Sequence, residues 1–150
     1  MTRVSHLTTH TGYWLRMVSN AVSQEFARKV AAQGVTVAEW SCMRAMYDEE
    51  AISPSVLAEK MGMTKGAISK LADRLVEKRL VERSSNPEDK RGLSLCLTEE
   101  GRRKIPRLAK LADQNDVENF AVLTSDEREW LDRILRVFAE RRGLTKTPVD

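Results

Sequence analysis

At 150 residues the chain is long enough for one domain with a sizeable core, and 41% hydrophobic against 31% charged residues describes a folded helical protein, not a disordered one. A formal charge of +3 permits a nucleic-acid partner without establishing one, so its distribution matters more than its sum. No apolar run is long enough to span a bilayer, no cleavable leader is evident, and Cys42 and Cys96 are too few for a disulfide framework. These features predict a cytoplasmic protein with no membrane partner.

Residues 1–9 carry no periodic signal and are expected to be frayed or lightly docked. From Thr11 to Ala32, Leu15, Val18, Val22 and Phe26 fall on one helical stripe with Tyr13, Trp14 and Met17 beside it, and Gly34 ends the run. Thr36-Val37-Ala38-Glu39 reads as a capping box for a helix that carries Trp40, Met43, Met46 and Tyr47 to near Glu50.

The next stretch organises the chain. Ser53 can cap a short helix with Pro54 at its first position, where a missing N–H costs nothing, and Gly62 closes it after Leu57, Ala58 and Met61. Thr64 caps a second helix whose apolar stripe is Ile68, Leu71, Ala72 and Leu75. Its opposite face offers Gly66, Ser69, Lys70 and Asp73, with Lys65 near the start and Arg74 on the flank. An apolar back and a small, basic front suit a helix that lies in a major groove. From Thr64 to Arg79, five bases (Lys65, Lys70, Arg74, Lys78, Arg79) stand against two acids (Asp73, Glu77), a local excess of +3.

Leu80-Val81-Glu82-Arg83 then reads as a strand, residues 84–92 as a polar loop, and Leu93, Leu95 and Leu97 alternate with polar residues as in a half-buried strand. The unit is a helix-turn-helix with a β-hairpin wing. Lys90 and Arg91 sit at the wing's tip, where a guanidinium can enter the adjacent minor groove. A long helix from Glu99 follows, with Leu108, Leu111, Val117 and Phe120 inward and Pro106 expected to kink it or move its start. A basic cluster on it (Arg102, Arg103, Lys104, Arg107, Lys110) reads as a solvated face. Thr124-Ser125-Asp126-Glu127 is a second capping box, opening a helix with Trp130, Leu131, Ile134, Leu135, Val137 and Phe138 and closed by Gly143. The tail after Leu144 is expected to be loose. The terminal helices carry more apolar surface than one winged-helix lobe can cover, which points to a second copy on a two-fold axis.

The segment LAEKMGMTKGAISKLADRLVEKRLVER, the wing residues Asp89 to Gly101 (DKRGLSLCLTEEG) and VTVAEW near residue 35 together resemble the MarR-type winged-helix transcriptional regulators. The resemblance runs from about Gly12 to Arg142. It implies a mostly α fold, a winged helix-turn-helix with long N- and C-terminal dimerisation helices, α+β only by virtue of its small hairpin. The whole chain, 1–150, would form one such unit, with a DNA-binding lobe at 35–101 and dimerisation helices at 11–32 and 102–142. The family usually has glycine where this chain has Arg79, so a left-handed residue there would cost about 1 kcal/mol.

Candidate DNA contacts are Thr64, Lys65, Gly66, Ala67, Ser69, Lys70 and Arg74 on the recognition helix and Lys90 and Arg91 on the wing; the resemblance adds Asp89 as the group that orients Arg91. The bland alternative is that Thr64 only caps and the lysines only solvate. Resemblance also implies a small-molecule effector, aromatic or phenolic, between the dimer helices and the DNA-binding lobe. His10, Tyr13, Trp14, Arg16, Trp40 and Arg44 supply aromatic walls and cations of that kind, although Trp14 and Trp40 fit a core and the arginines a surface. Cys42 reads as a small core residue and Cys96 as the more accessible thiol. With His6 and His10 the only histidines, no metal cluster, phosphate loop or nucleophile motif can be assembled. The expectation is a non-enzyme without cofactor or metal: a homodimeric repressor of palindromic double-stranded DNA. The alternative is a winged-helix protein–protein interaction module without specific DNA binding.

Overall fold

Thr36, Ser53, Thr64, Thr98 and Thr124 each turn a side-chain oxygen onto the backbone N–H three residues on, and a helix begins at each. Caps of this kind stabilise a helix by about 1 kcal/mol apiece, so the helix starts are written into single residues. The computed structural model describes residues 1–85 and 92–149. In chain order the elements are α1 (Thr11–Ala31), α2 (Val37–Met46), α3 (Pro54–Met61), α4 (Lys65–Glu77), β1 (Val81–Ser85), β2 (Leu93–Leu97), α5 (Glu99–Phe120) and α6 (Ser125–Arg142). This is the expected mostly α architecture with one antiparallel hairpin, Val81 opposite Leu97 and Ser85 opposite Leu93.

One core holds the lobe together. The inner faces of α2 (Cys42, Met43, Met46), α3 (Leu57, Ala58, Met61) and α4 (Ile68, Leu71, Ala72, Leu75) meet Val81, Leu95 and Leu97 of the hairpin and Ile105 and Leu108 of α5. The stripe expected on α4 is therefore the one that is buried. Ile52 adds a one-residue bridge to Leu95, exchanging hydrogen bonds of 2.9 and 2.8 Å, which gives the hairpin a third edge contact that no local pattern announces. Gly101 is needed for close packing: a Cβ there would collide with the carbonyl of Leu80, so the first turn of α5 can lie on the wing's base only without a side chain.

Several local expectations are corrected. The first strand runs Val81–Ser85 instead of Leu80–Arg83, because Leu80 is spent in the core before pairing starts. Leu93 is exposed, so the hairpin's alternation holds only at Leu95 and Leu97, which lie over the helices. The second helix stops at Met46, not near Glu50. Its capping box is only half made: Thr36 accepts from Glu39 N–H, but the Glu39 carboxylate turns inward to Lys78. The box at Thr124 is complete. The helix α5 runs as one element across Pro106, whose ring is exposed. In the C-terminal half of α5, Val117 faces outward and the buried residue is Asn115, which donates to the Val22 carbonyl and accepts from Lys29 Nζ. The basic cluster is not simply solvated: Arg102 forks onto the Tyr47 and Glu49 carbonyls, and Lys104 reaches that of Gln33. Residues 1–9 are lightly docked, with a single 3-10 turn at Leu7–Thr9 and Trp14 Nε1 donating to the Thr8 carbonyl. The tail after Leu144 is docked as well.

Candidate nucleic-acid interface

Thr64 holds α4 by its cap, and Gly62, left-handed at φ 64°, makes the turn from α3 that aims α4 away from the lobe. The apolar back of α4 being wholly buried, its other side is committed to solvent. Thr64, Lys65, Gly66, Ser69, Lys70 and Arg74 are exposed and Ala67 is half-buried, so the seven candidates on α4 share one outward surface at its N-terminal end and along its length. Among the described residues no side-chain hydrogen bond or ion pair engages Lys65, Lys70 or Arg74. At Gly66 a Cβ would meet nothing within 4 Å, which leaves open space over the helix. Asp89, Lys90 and Arg91 lie outside the described residues.

Two other charges of the segment, Lys78 and Asp73, are already occupied. Lys78 Nζ donates to Glu39 Oε1 at 3.0 Å and lies 2.8 Å from Oε2, too far off axis to donate to it as well; it also reaches the Gly34 carbonyl at 2.9 Å. Asp73 pairs with Arg83 of β1, tying the recognition helix to the base of the wing. Of the five bases counted in the sequence, Lys78 is thus withdrawn into structure. Arg79 takes φ 61°, the one non-glycine residue in the left-handed region among those described, and it faces solvent.

Behind this surface, α1, α2 and α5 enclose a crevice of about 570 Å³. Its walls are Val22 and Phe26 of α1, Val37 and Trp40 of α2, Asn115 of α5, and the tail at Pro148 and Val149, with Asp113 and Asp116 at the rim. Of the six candidate ligand residues only Trp40 lines it. Arg44 lies in a neighbouring groove with Lys60, paired to Asp48 at 3.0 Å and stacked over Tyr47. His10, Tyr13, Trp14 and Arg16 sit further up α1, where Tyr13 and Trp14 pack edge to face. The sequence reading missed Val22, Phe26, Asn115 and the tail, since a cavity wall assembled from three helices leaves no local signal. Burial and the nearby Glu39 charge push the Cys42 thiol up to about 12; partial burial and the Glu82 carboxylate also raise that of Cys96. Among the described residues no group of three or more His, Cys, Asp or Glu side chains is placed to hold a metal, and no helix is long and apolar enough to cross a membrane.

A buried-backed helix presented by a tight turn, followed by a hairpin packed on its base, defines a winged helix-turn-helix protein. The profile of the MarR family matches residues 33–92, which span α2 to the start of the second wing strand. Over 126 residues the chain is 29% identical to a putative transcriptional regulatory protein for the hcr operon of Thauera aromatica, covering 83% of this chain and 76% of that one. It is 31% identical over 87 residues to the transcriptional repressor MdtR of Bacillus subtilis, covering 58% and 56%. The crystal structure of an Escherichia coli MarR mutant complexed with operator DNA superposes with a TM-score of 0.76 at 27% identity, covering 85% of this chain and 91% of that one. The chain is thus similar, in its DNA-binding lobe and over most of its length, to transcriptional regulators of the MarR family.

Proposed function

We propose that two copies of this chain bind a palindromic duplex operator and repress transcription, and that a small ligand in the crevice releases them. The observation that carries this reading is the division of α4. Ile68, Leu71, Ala72 and Leu75 are sealed in the core while Thr64, Lys65, Gly66, Ser69 and Lys70 are held outward by a capped, rigid helix. Such a helix can enter a major groove, where Thr64 and Ser69 meet bases or phosphates, Lys65, Lys70 and Arg74 neutralise phosphates, and Gly66 and Ala67 allow close approach. On the wing, Lys90 and Arg91 reach the neighbouring minor groove, with Asp89 orienting Arg91. That the similar Escherichia coli MarR mutant was crystallised with operator DNA supports the DNA-binding reading.

Dimerisation follows from what the single chain leaves uncovered. Trp14, Leu15, Met17 and Val18 of α1 and Trp130, Ile134, Leu135 and Phe138 of α6 are all exposed, and α6 buries no residue in its own chain. Two-fold pairing through these helices sets two copies of α4 on half-sites about one helical turn, roughly 10 bp, apart. The crevice lies between α1, α5 and α2 of the reading lobe, and its Phe26 and Trp40 walls suit an aromatic ligand.

The test is selection from a randomised duplex library at two salt concentrations, comparing the wild-type chain with Arg91→Ala. Enrichment of a palindrome with half-site centres one turn apart, weakened by the substitution, is the expected result. Salt-sensitive binding with no enriched site would leave only non-specific affinity and favour a protein-interaction module.

A further inference from the structure

The chain does not leave the molecule at the end of α6. Gly143 turns left-handed at φ 63° and Leu144 N–H bonds back to the Ala139 carbonyl, closing the helix. Three residues on, Thr147 N–H donates to the Met61 carbonyl at 3.0 Å. Met61 is the last residue of α3, next to the turn that aims the recognition helix. The backbone of Lys146 lies so close to that turn that a Cβ on Gly62 would stand 2.9 Å from the Lys146 Cα. Beyond it, Pro148 and Val149 form one side of the crevice, and Val149 packs against the core.

Resting on the functional reading above, we infer that residues 144–149 are a strap. It ties the dimerisation helix α6 to the helix-turn-helix at Met61 and couples crevice occupancy to the recognition helix. The start of α6 is fixed to α5 by Arg128, which lies 3.5 Å from Asp116 and 4.5 Å over the Phe120 ring. The strap is the second fixing point, at the other end of the same helix. A ligand shifts an equilibrium only through contacts that differ between the two states. A molecule entering the crevice meets Pro148 and Val149, and any shift of those residues loads the Thr147–Met61 bond. That bond ends one residue before Gly62, so the strap converts occupancy into a change of α4 aim relative to α6. The hinge is short and the lever direct.

The full-length chain tests this with two variants. Val149→Asp puts a carboxylate against the apolar side of the crevice, and Thr147→Pro removes the N–H that bonds Met61; Val149→Ile is the conservative control. Hydrogen exchange of the tail reads docking, and the selected operator duplex, with and without the neutral dye N-phenyl-1-naphthylamine, reads coupling. The expected wild-type result is a protected Thr147 amide and weaker DNA binding in the presence of dye. In Val149→Asp the protection falls about tenfold or more, and in both variants the dye no longer alters DNA affinity, whereas Val149→Ile behaves as wild type. An unprotected Thr147 amide in the wild type, or dye coupling that survives both variants, overturns the strap. Failure of the wild type to select any operator would overturn the functional reading instead, and exchange, measured without DNA, still decides whether the strap is docked.

Discussion

Glu39, 1% exposed on α2, is met by the ammonium of Lys78 at the C-terminal end of the recognition helix, 2.8 Å from Oε2 and 3.0 Å from Oε1. The pair spans 39 residues of sequence and pins the rear of α4 to the helix beneath it. Lys78 keeps much of its side chain in water, so the pair itself adds little net stability, but removing its cation strands a buried carboxylate. Lys78→Ala should therefore destabilise the fold by about 2–4 kcal/mol, lowering Tm by roughly 5–15 °C. The double variant Glu39→Gln with Lys78→Met should recover part of that loss. A Tm for Lys78→Ala within 2 °C of wild type, a tolerance of about 0.5–1 kcal/mol, would show that the pair is not formed.

Arg79 holds a left-handed conformation that favours glycine. Arg79→Gly relieves that strain against a smaller loss of unfolded-state restriction, so a net gain of about 0.5–1 kcal/mol is expected in denaturant melts. If Arg79 also neutralises a phosphate, the same variant binds operator with a log–log salt slope smaller by about 0.9.

The Cys42 thiol holds its proton up to about 12, against 9.0 when unperturbed. A raised pKa means that the folded chain binds this proton more tightly than the unfolded one. Its contribution to stability is complete below pH 9.0 and is lost as pH rises toward 12. Urea melts between those limits should show an alkaline decline that is shallower in Cys42→Val. In the folded protein a thiol reagent at pH 8 should modify Cys96 long before Cys42, and modification of both at equal rates would contradict the burial of Cys42.

Gly66→Ala separates folding from recognition. The site is helical and open, so alanine should raise stability by about 0.5–1 kcal/mol. If the α4 backbone lies against DNA at this point, operator affinity should fall although the fold is firmer. Unchanged affinity would place the DNA elsewhere on the helix.

The helix-turn-helix was legible because its signals are local. Ser53, Pro54, Gly62 and Thr64 each fix a backbone conformation within a turn, and the stripe from Ile68 to Leu75 has only one way to face inward. Left-handed Arg79 is instead met only by the family resemblance, which implies a glycine at that place. Reading failed where a side chain had a choice of partner. Glu39 suits a capping box and also suits a buried ion pair, and the arrival of Lys78, at the far end of α4, beside the buried carboxylate decided for the second. Val117 and Asn115 are both compatible with helical periodicity; the Val22 carbonyl and Lys29 across the α1–α5 contact put the amide inside.

The sequence alone determined where the helices begin, which face of α4 is hidden and which is offered, because caps, turns and period act over three or four residues. The tertiary structure alone decided the crevice, the docking of the tail at Met61 and the withdrawal of Lys78. Each of these is a contact between residues tens of positions apart, chosen by packing and by the need to satisfy buried polar groups, and neither leaves a trace in local order.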